Sequence, residues 1–129
     1  MFGTLSVPFG AKMLFNMVTL KSGVTVDDVE LAIGEMCNVV KATYGGDKGG
    51  FLGGQVFRFS GFASEEGSLG GADPAEAHVA IVTYWRSFEE HERSHADRAF
   101  RDKFCALAKM CSESRELGYE MMWQGAAES

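Results

Sequence analysis

Two hydrophobic periods, one of two residues and one of about 3.6, take turns along this chain in an order that few folds can satisfy. Residues 13–20, MLFNMVTL, are an apolar run interrupted by Asn16 and Thr19, short enough for a buried strand. Thr25 with Asp28 three residues on is a capping box. Val26, Val29, Ile33, Met36, Cys37, Val40 and Tyr44 then recur at helical spacing until Gly45 and Gly46 close the helix. In FLGGQVFRFSG, Gln55, Phe57 and Phe59 alternate with Val56 and Arg58, a second strand ending near Ser60, with Gly53 and Gly54 marking a bulge or a close backbone approach. Residues 61–77 are rich in glycine, acidic and small side chains and read as a long, mobile hairpin loop. HVAIVTYW is a third strand, the helical run after it reaches about Ser112, and LGYEMMWQ, residues 117–124, is the last strand.

Strand, helix, two strands, helix, strand is the order β-α-β-β-α-β. It predicts an α+β domain of the ferredoxin-like kind, one four-stranded antiparallel sheet with its helices on one face. A chain of 129 residues, 46% of them hydrophobic, supports one core and not two. The domain is expected over residues 12–125, with an N-terminal extension at 1–11 and a C-terminal tail at 126–129. The first strand offers Leu14, Asn16, Val18 and Leu20 to one side and Met13, Phe15 and Met17 to the other, and the helices can cover only one of them. An uncovered apolar face predicts a homodimer packed sheet against sheet.

A net charge of −6, with no local cluster of Lys and Arg, argues against a nucleic-acid partner. The first twelve residues lack a cationic start and are broken by Gly3, Pro8 and Gly10. They fit neither a signal peptide nor a membrane span, so no membrane partner and a cytoplasmic location are expected. Cys37, Cys105 and Cys111 are odd in number and form no CxxC pair, and read as small buried hydrophobes in helices.

The segment YWRSFEEHERSH places His91 and His95 four residues apart. Ser87 with Glu90 starts a helix there, but the stripe formed by Phe100, Phe104, Leu107, Ala108 and Cys111 is out of phase with Phe88, His91 and His95. Ser94 followed by Asp97 is a second N-cap signature, and a break at Ser94 would let both pieces turn their apolar sides inward. With that break the two histidines lose the spacing of a shared site, so no metal is expected. His91, Glu92 and His95 match the letters of H-E-x-x-H, yet no third ligand motif follows and the chain is small for a zinc protease.

FNMVTLKSG and VTYWRSFEEHERSHADRAF together resemble the first strand, third strand and broken helix of the antibiotic-biosynthesis monooxygenases, a group within the dimeric α/β barrels. The resemblance runs from Lys12 to Gln124. It implies a small dimeric monooxygenase that oxygenates a small aromatic or quinol-like molecule without a cofactor, in a pocket between sheet and helices. Asn16 and His91 would be the catalytic pair, and Phe57, Phe59, Tyr84, Phe88, His95 and Phe100 would bind the ligand. The same group includes heme-degrading enzymes that use an Asn, a Trp and a His around the porphyrin. Asn16 matches the first of these, while, counting from Trp85, Ser94 and Phe104 stand in place of the other two. A heme-binding protein of the same fold, and a non-catalytic dimer that binds a hydrophobic ligand, are the alternative readings.

Overall fold

The computed structural model describes residues 3–71 and 77–128. Its elements run β1 (Lys12–Leu20), α1 (Val26–Tyr44), a 3-10 turn (Gly46–Lys48), β2 (Phe51–Arg58), β3 (His78–Trp85), α2 (Phe88–His95), α3 (Arg98–Ala108) and β4 (Cys111–Glu120). The strands form one antiparallel sheet in the order β2-β3-β1-β4. This is the expected ferredoxin-like fold, with the second helix divided in two. Between β2 and β3, residues 61–71 contain no helix or strand, and residues 72–76 of the expected hairpin loop lie outside the described residues.

The elements before β4 follow from local chemistry. Thr25 and Asp28 form the full capping box at the head of α1, each side chain accepting from the other's backbone N–H. One face of α1 then buries Val29, Ile33, Met36 and Val40. In β2 the ladder to β3 shifts register between Phe51 and Gly53, the irregularity that the glycine pair announces. Leu14, Val18, Val79, Ile81 and Trp85 from the sheet meet Val29, Ile33, Phe100 and Leu107 from the helices in one core. Cys105 is exposed and Cys111 opens β4 with its thiol on the Leu107 carbonyl, so neither is the buried helical hydrophobe expected.

Two boundaries differ from expectation. The helix ends at Ala108 rather than Ser112, and β4 begins at Cys111, six residues before Leu117, and ends at Glu120. CSESRE carries no hydrophobic alternation because β4 is an edge strand and much of it faces water. What recruits it is the free edge of β1, whose backbone groups from Lys12 to Leu20 pair with Glu120 back to Cys111. The second difference lies between the helices. The break falls at Ala96, with Asp97 capping α3 through a bond from the Ala99 N–H to its carboxylate. Ser94 stays inside α2, fully buried, its hydroxyl donating to the His91 carbonyl at 2.7 Å.

Ser87 caps α2 by accepting from the Glu90 N–H, while its hydroxyl donates to the Glu90 carboxylate. Replacing Ser87 with Ala should lower stability by about 0.5–2 kcal/mol. The check is a reduced urea midpoint with an unchanged denaturant slope.

Candidate functional site

Side chains alternate along β1, so Asn16 points to the helices together with Leu14, Val18 and Leu20, all buried. The β1–β4 register sets Glu116 opposite Asn16, on the same helix side. From above, α2 delivers His91 and His95 one turn apart. The Nε2 of His91 lies 3.0 Å and the Nε2 of His95 lies 3.2 Å from one oxygen, Oε1 of Glu116. The imidazole rings are 4.0 Å apart between centroids. The break that was expected to separate the histidines comes after both of them, so the i, i+4 geometry survives. The third group that the local sequence did not provide comes from β4.

Aromatic walls hold the rings in place. Trp85 sets its edge against His91 at 5.3 Å and 84°, and Phe100 lies 4.2 Å from His95. The other ring nitrogens are engaged: Nδ1 of His91 with the Glu92 carboxylate at 3.1 Å, and Nδ1 of His95 with the His91 carbonyl at 3.1 Å and with Ser94 Oγ. A carboxylate and a carbonyl only accept, so both Nδ1 atoms carry hydrogen. The contact from His91 Nε2 to Glu116 is close but off axis. It is an ion-pair contact rather than a hydrogen bond, and leaves that buried nitrogen without an aligned partner.

Burial works against charge on His91, but the Glu116 and Glu92 carboxylates outweigh it and hold the imidazole pKa above its ordinary value. Burial also opposes ionisation of Glu116, and the two imidazoles overcome it, holding the carboxylate pKa down to about 2. The cluster is therefore a polarised centre, buried at His91 and partly exposed at His95 and Glu116, able to retain a proton beside an anionic oxygen.

The remaining candidates divide by face. Phe88 and Phe100 lie with the histidines on the helix side, and Phe88 fits there because Gly118 of β4 has no side chain. A Cβ at that position would sit 2.7 Å from the Phe88 ring. Phe57, Phe59 and Tyr84 are on the opposite, open face of the sheet, because their register partners Ala80, His78 and Met13 alternate with the buried positions. Phe59 stacks on His78 there at 4.7 Å, and the Tyr84 hydroxyl is 3.5 Å from Gln55. These three cannot line a pocket shared with Asn16 and His91, which corrects the single pocket expected from the sequence. Glu116 was missed altogether; its only sequence signal is its distance along a strand whose start was misplaced.

A cleft of about 180 Å³ opens between α3 and the β1–β4 edge, lined by Val18, Phe104, Leu107, Ala108, Cys111 and Ser114 among others. It reaches the polar cluster through Ser114, whose hydroxyl donates to Asn16 Oδ1 at 3.0 Å. For heme the donors fit poorly: Phe104 offers no axial ligand where the heme-degrading group has its histidine, and both available imidazoles are turned to Glu116.

The fold and this arrangement together define a ferredoxin-like protein with a polar centre between sheet and helices. No protein-family model matches the sequence, and no curated protein matches it. Solved structures do. SnoaB from Streptomyces nogalater, a cofactor-independent oxygenase, superposes with a TM-score of 0.62 at 14% identity, over 89% of this chain and 96% of that one. A dimeric ferredoxin-like protein of unknown function from Thermobifida fusca gives 0.65 at 13% identity, over 92% and 100%. A Chloroflexus aurantiacus protein provisionally named as an antibiotic biosynthesis monooxygenase gives 0.57 at 13%, over 90% and 97%. The chain is thus similar in fold to the group that its strand and helix motifs resemble. No helix among the described residues is long and apolar enough to cross a membrane.

Proposed function

We propose that the chain is a small oxygenase, acting as a homodimer in the cytoplasm on an anthrone-, naphthol- or quinol-type aromatic and needing no organic cofactor. The observation that carries this reading is the convergence of His91, His95 and Glu116 beside Asn16, next to a largely apolar cleft. Such substrates become reactive toward dioxygen when they lose a proton; the His91 imidazole, its proton affinity raised by Glu116 and Glu92, can accept that proton and then faces the resulting anion as a cation. In the proposed reaction an anthrone-type CH2 group and O2 give a ring C=O and water. The imidazoles stabilise the enolate oxygen, and Asn16 orients the substrate or the oxygen. Likeness to a cofactor-independent oxygenase supports the same reading.

Dimer formation is supported by the open sheet face, where Met17, Phe57, Leu117 and Tyr119 are all exposed in the single chain. A dimeric neighbour of the same fold supports it too. The cytoplasmic assignment agrees with three cysteines that are all free thiols.

The test is oxygen uptake with anthrone and naphthol substrates, with hemin plus a reductant run in parallel. Wild type should consume oxygen with the aromatics, and Asn16→Ala and His91→Ala should each cut turnover tenfold or more while remaining folded. Turnover that survives both substitutions would move the site elsewhere. Absence of any oxygen uptake would favour the ligand-binding dimer.

A further inference from the structure

Three potential ligand atoms meet in the layer between sheet and helices, and the buried Nε2 of His91 has no aligned hydrogen-bond partner among the described residues. With hydrogen on both Nδ1 atoms, the neutral imidazoles present Nε2 lone pairs to each other and to Glu116 Oε1, all three atoms within 4.8 Å of one another. In that state three acceptors face one another, one of them on a residue 2% exposed, and a cation among them, either a proton or a metal ion, relieves their repulsion. From this geometry we propose that His91, His95 and Glu116 bind a borderline divalent first-row metal ion, of the zinc, cobalt and iron(II) class.

The distances fit. Two donors bound at about 2.0–2.1 Å to one ion at angles of about 90–109° lie about 2.8–3.4 Å apart, and the nitrogen-to-oxygen separations here are 3.0 and 3.2 Å. The surroundings fit as well. A metal-bound imidazole characteristically donates its other N–H to a carboxylate or a backbone carbonyl, which fixes its tautomer and ring angle. His91 does the first through Glu92, and His95 does the second through the His91 carbonyl. Trp85 and Phe100 block the rings from turning away. Two imidazoles with one carboxylate disfavour magnesium and calcium, which prefer all-oxygen shells, and the set contains no thiolate to select copper(I).

The arrangement is not that of a zinc protease, although the letters H-E-x-x-H are present. Glu92 is 76% exposed at its side chain and engaged with the Nδ1 of His91, behind the ring and away from the ligand atoms. Three protein ligands leave further positions open to water or to an oxygen of a small molecule. The inference goes beyond the oxygenase reading and does not rest on it, since ion binding can be measured with no substrate present.

The experiment uses untagged protein stripped with a chelator and titrated with cobalt(II) alone, followed by competition with zinc(II). One cobalt per chain should bind with visible ligand-field absorption, zinc should displace it one for one, and zinc should raise the melting temperature. Glu116→Gln and His95→Asn, both at partly exposed side chains, should each weaken binding about a hundredfold or more while circular dichroism shows a native fold. His91→Ala should do the same, and if it fails to fold the other two variants decide. The proposal is overturned if cobalt binds no tighter than millimolar to the wild type. It is also overturned if binding persists unchanged in Glu116→Gln and His95→Asn.

Discussion

Replacing Trp85 with Ala should cost about 3–5 kcal/mol of stability, a large share of the roughly 5–15 kcal/mol that holds a domain together. Trp85 is 1% exposed at the end of β3, and its indole N–H donates to Thr83 Oγ1 at 2.9 Å. Its ring meets Phe51 edge-on at 5.3 Å on one side and His91 on the other. Removal therefore opens a cavity between the sheet and α2 that a backbone pinned by the β2 and β1 ladders cannot close. Trp85→Phe keeps most of the apolar volume and should lose distinctly less. Urea unfolding of both variants is the check. A loss under about 1 kcal/mol for the alanine variant would mean that the layer collapses onto the vacated space, against the rigid packing described.

Phe15→Asp should convert the proposed dimer into a folded monomer. Phe15 stands on the open face in an edge contact with Tyr119 of β4, at 6.4 Å and 88°. In a lone chain a carboxylate there meets water, so folding tolerates it. In a sheet-on-sheet dimer the same carboxylate is buried without a partner, which costs several kcal/mol, on the order of the desolvation of a lone polar group or more. Sedimentation at micromolar concentration distinguishes the outcomes: a monomer of native ellipticity is expected, and a dimer of unchanged mass would show that the open face is not the interface.

How far the sequence discloses this structure depends on the range of the forces that shape each part. The capping box at Thr25, the two-sided pattern of β1, the HVAIVTYW run of β3 and the stripe of α1 are local signals, and each is where the residues place it. The helix break falls two residues later than expected because Ser94 only has the chemistry of a cap. In the fold its hydroxyl serves the carbonyl one turn back instead. β4 was displaced because an edge strand with both faces partly wet has no pattern to read. That error also hid Glu116, which lies 21 residues from His95 and reaches it only through the β1–β4 register. Of the candidates named from the sequence, Asn16, Phe88, His91, His95 and Phe100 share the helix side of the sheet. Phe57, Phe59 and Tyr84 were drawn into the same pocket by residue type, although the two-residue period sends them through to the other side.

β4 is paired on one side only, and its register to β1 determines more than where the strand sits. A slip of one residue would turn Glu116 outward and bring Arg115 or Leu117 beneath the histidines, and a slip of two would bring Ser114 or Gly118. The strand order, the helices and the secondary-structure content would all be unchanged. The Ser114 hydroxyl, bonded across the ladder to Asn16, makes that contact in the native register. A chain in a slipped register would have a sheet of the same strand order and contain no centre at all.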